Sequence, residues 1–122
     1  MIIALITSML LFCSISSGAD NFTVFSHLSS SEGLSNDNIT SIYQDEFGMV
    51  WIGTNDGLNR YDGQRVEVLR PVPGDSTSIF NNNIKCICGD RKGKIYVISK
   101  FALDEYDIST EKFRHIRTGG MQ

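Results

Sequence analysis

The chain has 122 residues, carries 11 lysines and arginines against 14 aspartates and glutamates, and has a net charge of −3 with a pI near 5.2. That length fits one small domain, and the weak, scattered charge excludes the basic face of a nucleic-acid-binding protein. The one basic concentration, Lys112, Arg114, His115 and Arg117, is expected to guard a solvated strand edge.

The first twenty residues differ from the rest. "MIIALITSMLLFCSISSGAD" has no side-chain charge before Asp20, and its apolar heart runs from Ile2 to Phe12. A spanning helix needs about 20 apolar residues, so the run suits a secretory signal, with Ser17 and Ala19 as the small residues before a cleavage point. Residues 1–19 are therefore expected to be a signal peptide and the mature chain to be exported, although no Lys or Arg follows Met1 to supply the usual positive charge. An uncleaved N-terminal anchor is the alternative. Export would leave Cys86 and Cys88, two residues apart on a strand and so on one face, poorly placed for a bridge. One C-x-C pair with no further ligands makes no metal site, so both are expected as small packing residues.

An internal repeat organises the chain beyond Asp20. "NDNITSIYQDEFGMVWIGTNDGLNRYD" lies over "NNNIKCICGDRKGKIYVISKFALDEYD" at a constant offset of 45 residues, pairing Asn36 with Asn81, Asp45 with Asp90, Gly48 with Gly93, Trp51 with Tyr96 and Tyr61 with Tyr106. Such a period marks a repeat architecture. In chain order, "NITSIYQD" is a first strand closed by the turn "DEFG", where Asp45 holds backbone amides and Gly48 takes a positive φ. "MVWIGT" is a β-branched and aromatic run suited to a strand buried on both faces. "NDG" turns the chain into a third strand, "LNRYD", and "DG" turns it into a fourth, "QRVEVL". No stretch after Asp20 has a helical period. Four short antiparallel strands per 45 residues predict a β-propeller blade. "FTVFSHLSSSEGLSNDNI" echoes the passage from Val66 to Ile84 and predicts a lone outer strand leading into the first blade. The expected class is all-β, an incomplete propeller: outer strand and lead-in over 20–35, blade 1 over 36–79, blade 2 over 80–122.

The first copy resembles the two-component regulator propeller repeat. Its I-x-x-I strand, D-x-x-G turn, W-[IV]-G-T strand and G-[LI]-x-[RK]-[YF] strand fall on Ile39, Ile42, Asp45, Gly48, Trp51, Ile52, Gly53, Thr54, Gly57, Leu58, Arg60 and Tyr61. The second copy keeps Asp90 and Gly93 but has Tyr96 for Trp, Ile98 for Gly and Glu105 for the basic residue. The resemblance implies a periplasmic sensor region of a hybrid two-component histidine kinase, responding to oligosaccharides, with the kinase and membrane helix in domains outside this chain. It implies that the chain is the N-terminal piece of such a receptor and is itself no enzyme.

Catalytic and metal constellations are not expected. Asp45, Glu46, Asn55, Asp56 and Asp62 lack the spacing of a calcium loop, the glycines precede no helix that would cradle a phosphate, and two histidines serve no credible nucleophile. No cofactor is expected. Ligands of propellers meet the loops that enter the innermost strand and that join the second and third strands. Here those loops carry Asn36, Asp37, Asn38, Asn55, Asp56, Asn81, Asn82, Lys100 and Phe101, amide, acidic and aromatic groups suited to sugar hydroxyls and ring faces. Asn and Asp also serve tight turns for backbone reasons, so both readings stand. Two blades leave two faces open, and the burial foregone is comparable to a small domain's whole stability. The expected partners are therefore further blades or other copies of the chain, besides an oligosaccharide. The alternative to a receptor piece is a self-assembling propeller scaffold or part of a propeller-containing polysaccharide-active enzyme.

Overall fold

The computed structural model describes residues 25–116. The signal segment and the outer strand expected around Phe22 lie outside the described residues. A single 3-10 turn, Ser30–Glu32, opens them, capped by Ser29 and Glu32 in a capping box and closed by Gly33.

Eight strands follow in two sheets of four. Blade 1 comprises β1 (Ile39–Gln44), β2 (Val50–Thr54), β3 (Gly57–Tyr61) and β4 (Val66–Leu69). Blade 2 comprises β5 (Ile84–Gly89), β6 (Lys94–Ser99), β7 (Leu103–Asp107) and β8 (Lys112–Ile116). Each is an antiparallel meander in sequence order, and both innermost strands carry a register shift at the same place, between Ile39 and Ser41 and between Ile84 and Cys86. The repeat thus extends to a bulge that no residue type announces. The turn after each innermost strand is built alike. Asp45 Oδ1 accepts the amides of Phe47 and Met49 at 2.9 and 3.0 Å, and Asp90 Oδ1 accepts those of Lys92 and Lys94 at 2.7 and 3.1 Å. Gly48 and Gly93 sit at φ +84 and +92, where a side chain would be strained.

Cross-strand partners share a face, so the registers define two sides to each blade. Ser41, Tyr43, Trp51, Gly53, Leu58 and Arg60 share one side of blade 1. Ile87, Ile95, Val97, Asp104, Tyr106 and Phe113 share the facing side of blade 2. The core lies between them, formed by Trp51, Leu58, Ile79, Ile84, Ile87, Ile95, Val97, Tyr106 and Phe113. Trp51 and Tyr106 meet edge-on with ring centroids 5.0 Å apart, a favoured aromatic geometry.

Close approach at the inner edge depends on missing side chains. A Cβ on Gly53 would lie 2.6 Å from Ile84 Cγ2, and one on Gly89 would lie 2.6 Å from the Tyr43 hydroxyl. The glycine of W-I-G-T is therefore a socket for the next blade's first strand. One expectation is corrected here: Cys86 and Cys88 are free and exposed, not packed. Their side of β5 faces away from blade 1, and no other described residues cover it. The basic cluster is divided. Lys112 and Arg114 are exposed on the outermost strand as expected, His115 turns onto Asp104 at 2.6 Å, and Arg117 lies outside the described residues.

Candidate functional site

The loops proposed from sequence lie at one end of both sheets. Ile39 pairs with Thr54, and Ile84 with Ser99, so the segment entering each innermost strand sits beside the loop joining the second and third strands. Within blade 2 the Lys100 amide donates to the Asn83 carbonyl at 3.0 Å. Between blades, Asn82 Nδ2 donates to Asp56 Oδ1 at 2.8 Å, making the two loop sets one continuous rim.

Five of the nine rim residues have intramolecular work. Asn36 Oδ1 accepts the Asn38 amide and Asn81 Oδ1 the Asn83 amide, each at 2.8 Å; these are repeat-equivalent Asx turns. Asp37 accepts the Ser30 amide at 2.6 Å and the Ser30 hydroxyl at 2.9 Å, and these bonds hold its carboxyl below the usual range. Asp56 takes Asn82 on one oxygen and Arg70 on the other, the latter at 3.3 Å. The remaining four, Asn38, Asn55, Lys100 and Phe101, are exposed, and their side chains make no hydrogen bond among the described residues. Lys100 Nζ stands 5.1 Å from the Phe101 ring centroid. Beside Phe101, an open depression of about 680 Å3 is lined by Phe80, Ile98, Leu103, His115 and Ile116 among others.

Beneath the rim lies a device that the sequence reading did not single out. Asn59, fully buried, accepts the Ser35 amide on Oδ1 at 2.8 Å and donates from Nδ2 to the Ile52 carbonyl at 3.0 Å. Asp104 stands 45 residues later, also fully buried, and accepts the Phe80 amide at 2.9 Å. Each clamps the segment entering its blade to the third strand. The signal available was a polar residue directly after the leucine of the third strand in both repeats, Asn59 after Leu58 and Asp104 after Leu103, at the repeat offset. Asp104 cannot donate, and His115 supplies its second partner. Among the described residues, no group of three or more His, Cys, Asp or Glu could hold a metal ion, and no helix is long and apolar enough to cross a membrane.

The seam is fastened outside the apolar core by Arg60. Its guanidinium pairs with Glu67 across β3 and β4, and donates to the Tyr106 hydroxyl and to Glu111 of blade 2, each at 3.0 Å. Burial opposes its charge, but the Glu111 and Glu67 carboxylates outweigh that and raise its pKa. Burial pushes the Tyr106 phenol up, so it remains a neutral acceptor for the guanidinium at physiological pH.

Two stacked four-stranded meanders with a shared loop rim define a β-propeller segment. Residues 33–56, which span the lead-in and the strands β1 and β2, match the family described as "Two component regulator propeller". The chain is 44% identical over 69 residues to histidine kinase P4 of Formosa agariphila, a match covering 56% of this chain and 5% of that protein. Among solved structures, it resembles the extracellular domain of a hybrid two component system from B. thetaiotaomicron, with TM-score 0.69 and 30% identity over 75% of this chain and 13% of that one. A second extracellular domain from the same organism shares the fold, with TM-score 0.60 and 21% identity over 82% of this chain and 15% of that one. The chain thus spans a small fraction of the relatives it matches. These likenesses show a shared propeller fold and a two-component regulator propeller match over residues 33–56.

Proposed function

We propose that these blades are part of an extracytoplasmic, periplasmic sensor propeller that binds an oligosaccharide at the loop rim and passes the binding event to signalling domains, without catalysing a reaction itself. The observation that carries this reading is the division of labour along the rim. Asn36, Asp37, Asp56, Asn81 and Asn82 are committed to the fold, while Asn38, Asn55, Lys100 and Phe101 stand exposed. An amide pair, a cation and an aromatic face suit sugar hydroxyls and the apolar face of a pyranose ring. Histidine kinase P4 is a far longer protein, of which the match spans 5%, and phosphoryl transfer would belong to parts other than these blades.

The test is isothermal titration of the chain with a panel of neutral and acidic oligosaccharides, repeated with Phe101→Ala and Asn55→Ala. The reading predicts binding that either substitution weakens about tenfold, since loss of stacking or a polar contact costs about 1–2 kcal/mol. Binding unaffected by both substitutions would move the site off the rim.

A further inference from the structure

Blade 1 grips blade 2 with one side of its sheet, and among the described residues nothing covers the corresponding side of blade 2. The repeat offset permits a position-by-position comparison of the two. On blade 1, Gly53 leaves the socket that Ile84 enters, with a Cβ there falling 2.6 Å from Ile84 Cγ2. Ser41 Oγ accepts the Ile87 amide at 3.0 Å, and Arg60 reaches across to Tyr106 and Glu111. On blade 2 these positions hold Ile98, Cys86 and Glu105. Ile98, 44% exposed, occupies the place of the socket. A thiol is a weak acceptor where a hydroxyl was used. Glu105 has the opposite charge to Arg60 and is already held by Arg114 at 2.8 Å.

The other open side, on blade 1, is equipped like the side of blade 2 that docks. Ile39 and Ile42 are the equivalents of Ile84 and Ile87 and are 39% and 67% exposed. Head-to-tail docking of a second copy would bring Ile39 onto Ile98. A single added Cβ at Gly53 already intrudes on the Ile84 methyl, so a whole sec-butyl side chain at that place holds the sheets apart.

We propose that the open side of blade 2 is an interface for a non-identical propeller blade, whose first strand carries Gly, Ala or Ser where blade 2 carries Ile84, and that it rejects a second copy of this chain. Ile98, Leu103 and Ile116 supply its apolar contact, continuing the interface between blades 1 and 2. The knob and the socket have exchanged sides: the large residue belongs to the receiving blade and the small one to the arriving blade.

Sedimentation equilibrium of the chain, with the chain itself as probe, tests this using Ile98→Gly, Ile39→Ala and the double variant. Ile98→Gly reopens the socket for Ile39 of a second copy and is expected to tighten self-association about tenfold. Ile39→Ala supplies the small arriving residue from the other side and is expected to act in the same direction. The double variant, with a socket and nothing to fill it, is expected to fall back towards the parent chain. Circular dichroism and Trp51 emission confirm that each variant is folded, and should Ile98→Gly unfold, Ile39→Ala at its solvent-facing position decides alone. Self-association of the parent chain as tight as that of the relieved variants, or no change in either single variant, would overturn the proposal.

Discussion

Trp51 and Tyr106 meet edge to face across the seam, their ring planes inclined at 63°, and each is anchored from its own polar end. The indole Nε1 donates to Asp45 Oδ2 at 2.9 Å, and the phenol accepts from Arg60 at 3.0 Å. The aspartate that ends β1 is therefore also the group that orients the chief aromatic of the interface.

Replacing Asp45 should thus damage the turn and the seam together. The residue is 5% exposed, and its carboxylate satisfies two amides and the indole. Asp45→Ala is expected to cost about 2–4 kcal/mol, because buried donors lose their acceptor. Asp45→Asn keeps an acceptor for the amides but sets an NH2 against the indole N–H, and should fall between. Chemical denaturation followed by Trp51 emission measures both; equal stability of Asp45→Ala and the parent would contradict the assignment.

Gly53 is required by proximity rather than by backbone conformation. Gly53→Ala brings a methyl against Ile84 Cγ2 and is expected to destabilise by about 1–3 kcal/mol. Ile84→Ala alone opens a cavity and is expected to cost about 2–5 kcal/mol. Together they should cost clearly less than the sum, since each relieves the other. Additive effects in the double-mutant cycle would rule out the contact.

The lead-in clamps make a sharper test of repeat equivalence. Asn59 faces Val68 across β3 and β4, and Asp104 faces His115 across β7 and β8. Asn59→Asp removes the donor to the Ile52 carbonyl and buries a carboxylate without its histidine, which should destabilise strongly. Adding Val68→His reproduces the blade 2 arrangement and is expected to recover part of the loss. Thermal unfolding of the single and double variants reads the result; no recovery would mean that His115 does not support Asp104.

Acid should weaken the fold before alkali does. Lys94 and Ser109 hold Asp107 well below the usual carboxylate range, Arg114 lowers the carboxyl of Glu105, and the backbone amides of Arg65 and Gln64 lower that of Asp62. A carboxyl with a depressed folded pKa contributes its full stability above the unfolded value, about 4 for these groups, and loses it as the pH falls towards the folded value. The melting temperature is therefore expected to hold as pH is lowered to about 5 and to fall below about 4, less steeply in Asp107→Asn. Asp62 is exposed and Glu105 and Asp107 are partly exposed, so solvent screening keeps the shift modest. A melting temperature indifferent to pH down to about 2 would contradict these pairings.

The strands and turns were legible in the sequence because local chemistry and repetition agreed. The Asp45 and Asp90 turns, the W-I-G-T strand and the four strands per period all appear where the 45-residue offset put them. Faces were harder. A strand buried on both sides has no alternation, so "MVWIGT" did not reveal that Gly53 receives Ile84, nor that Ile52 points the other way. Cys86 and Cys88 were misjudged because their residue type says nothing about which side of β5 is covered. The rim was legible as loop chemistry. Which asparagines are spent on Asx turns and which stand exposed depends on backbone geometry, which Asn36 and Asn38 do not disclose by type. The Asp104–His115 pair required knowing the β7–β8 register, set by a hairpin two residues longer than its counterpart in blade 1.

The central claim is that the two repeats form one body through the Trp51, Tyr106 and Ile84 seam. Its most direct test is unfolding in denaturant, followed in parallel by Trp51 emission, which reports blade 1 at the seam, and by hydrogen exchange of the β5–β8 amides, which reports blade 2. A single coincident transition by both probes is predicted. Loss of protection in β5–β8 at a denaturant concentration where Trp51 is still buried would contradict it.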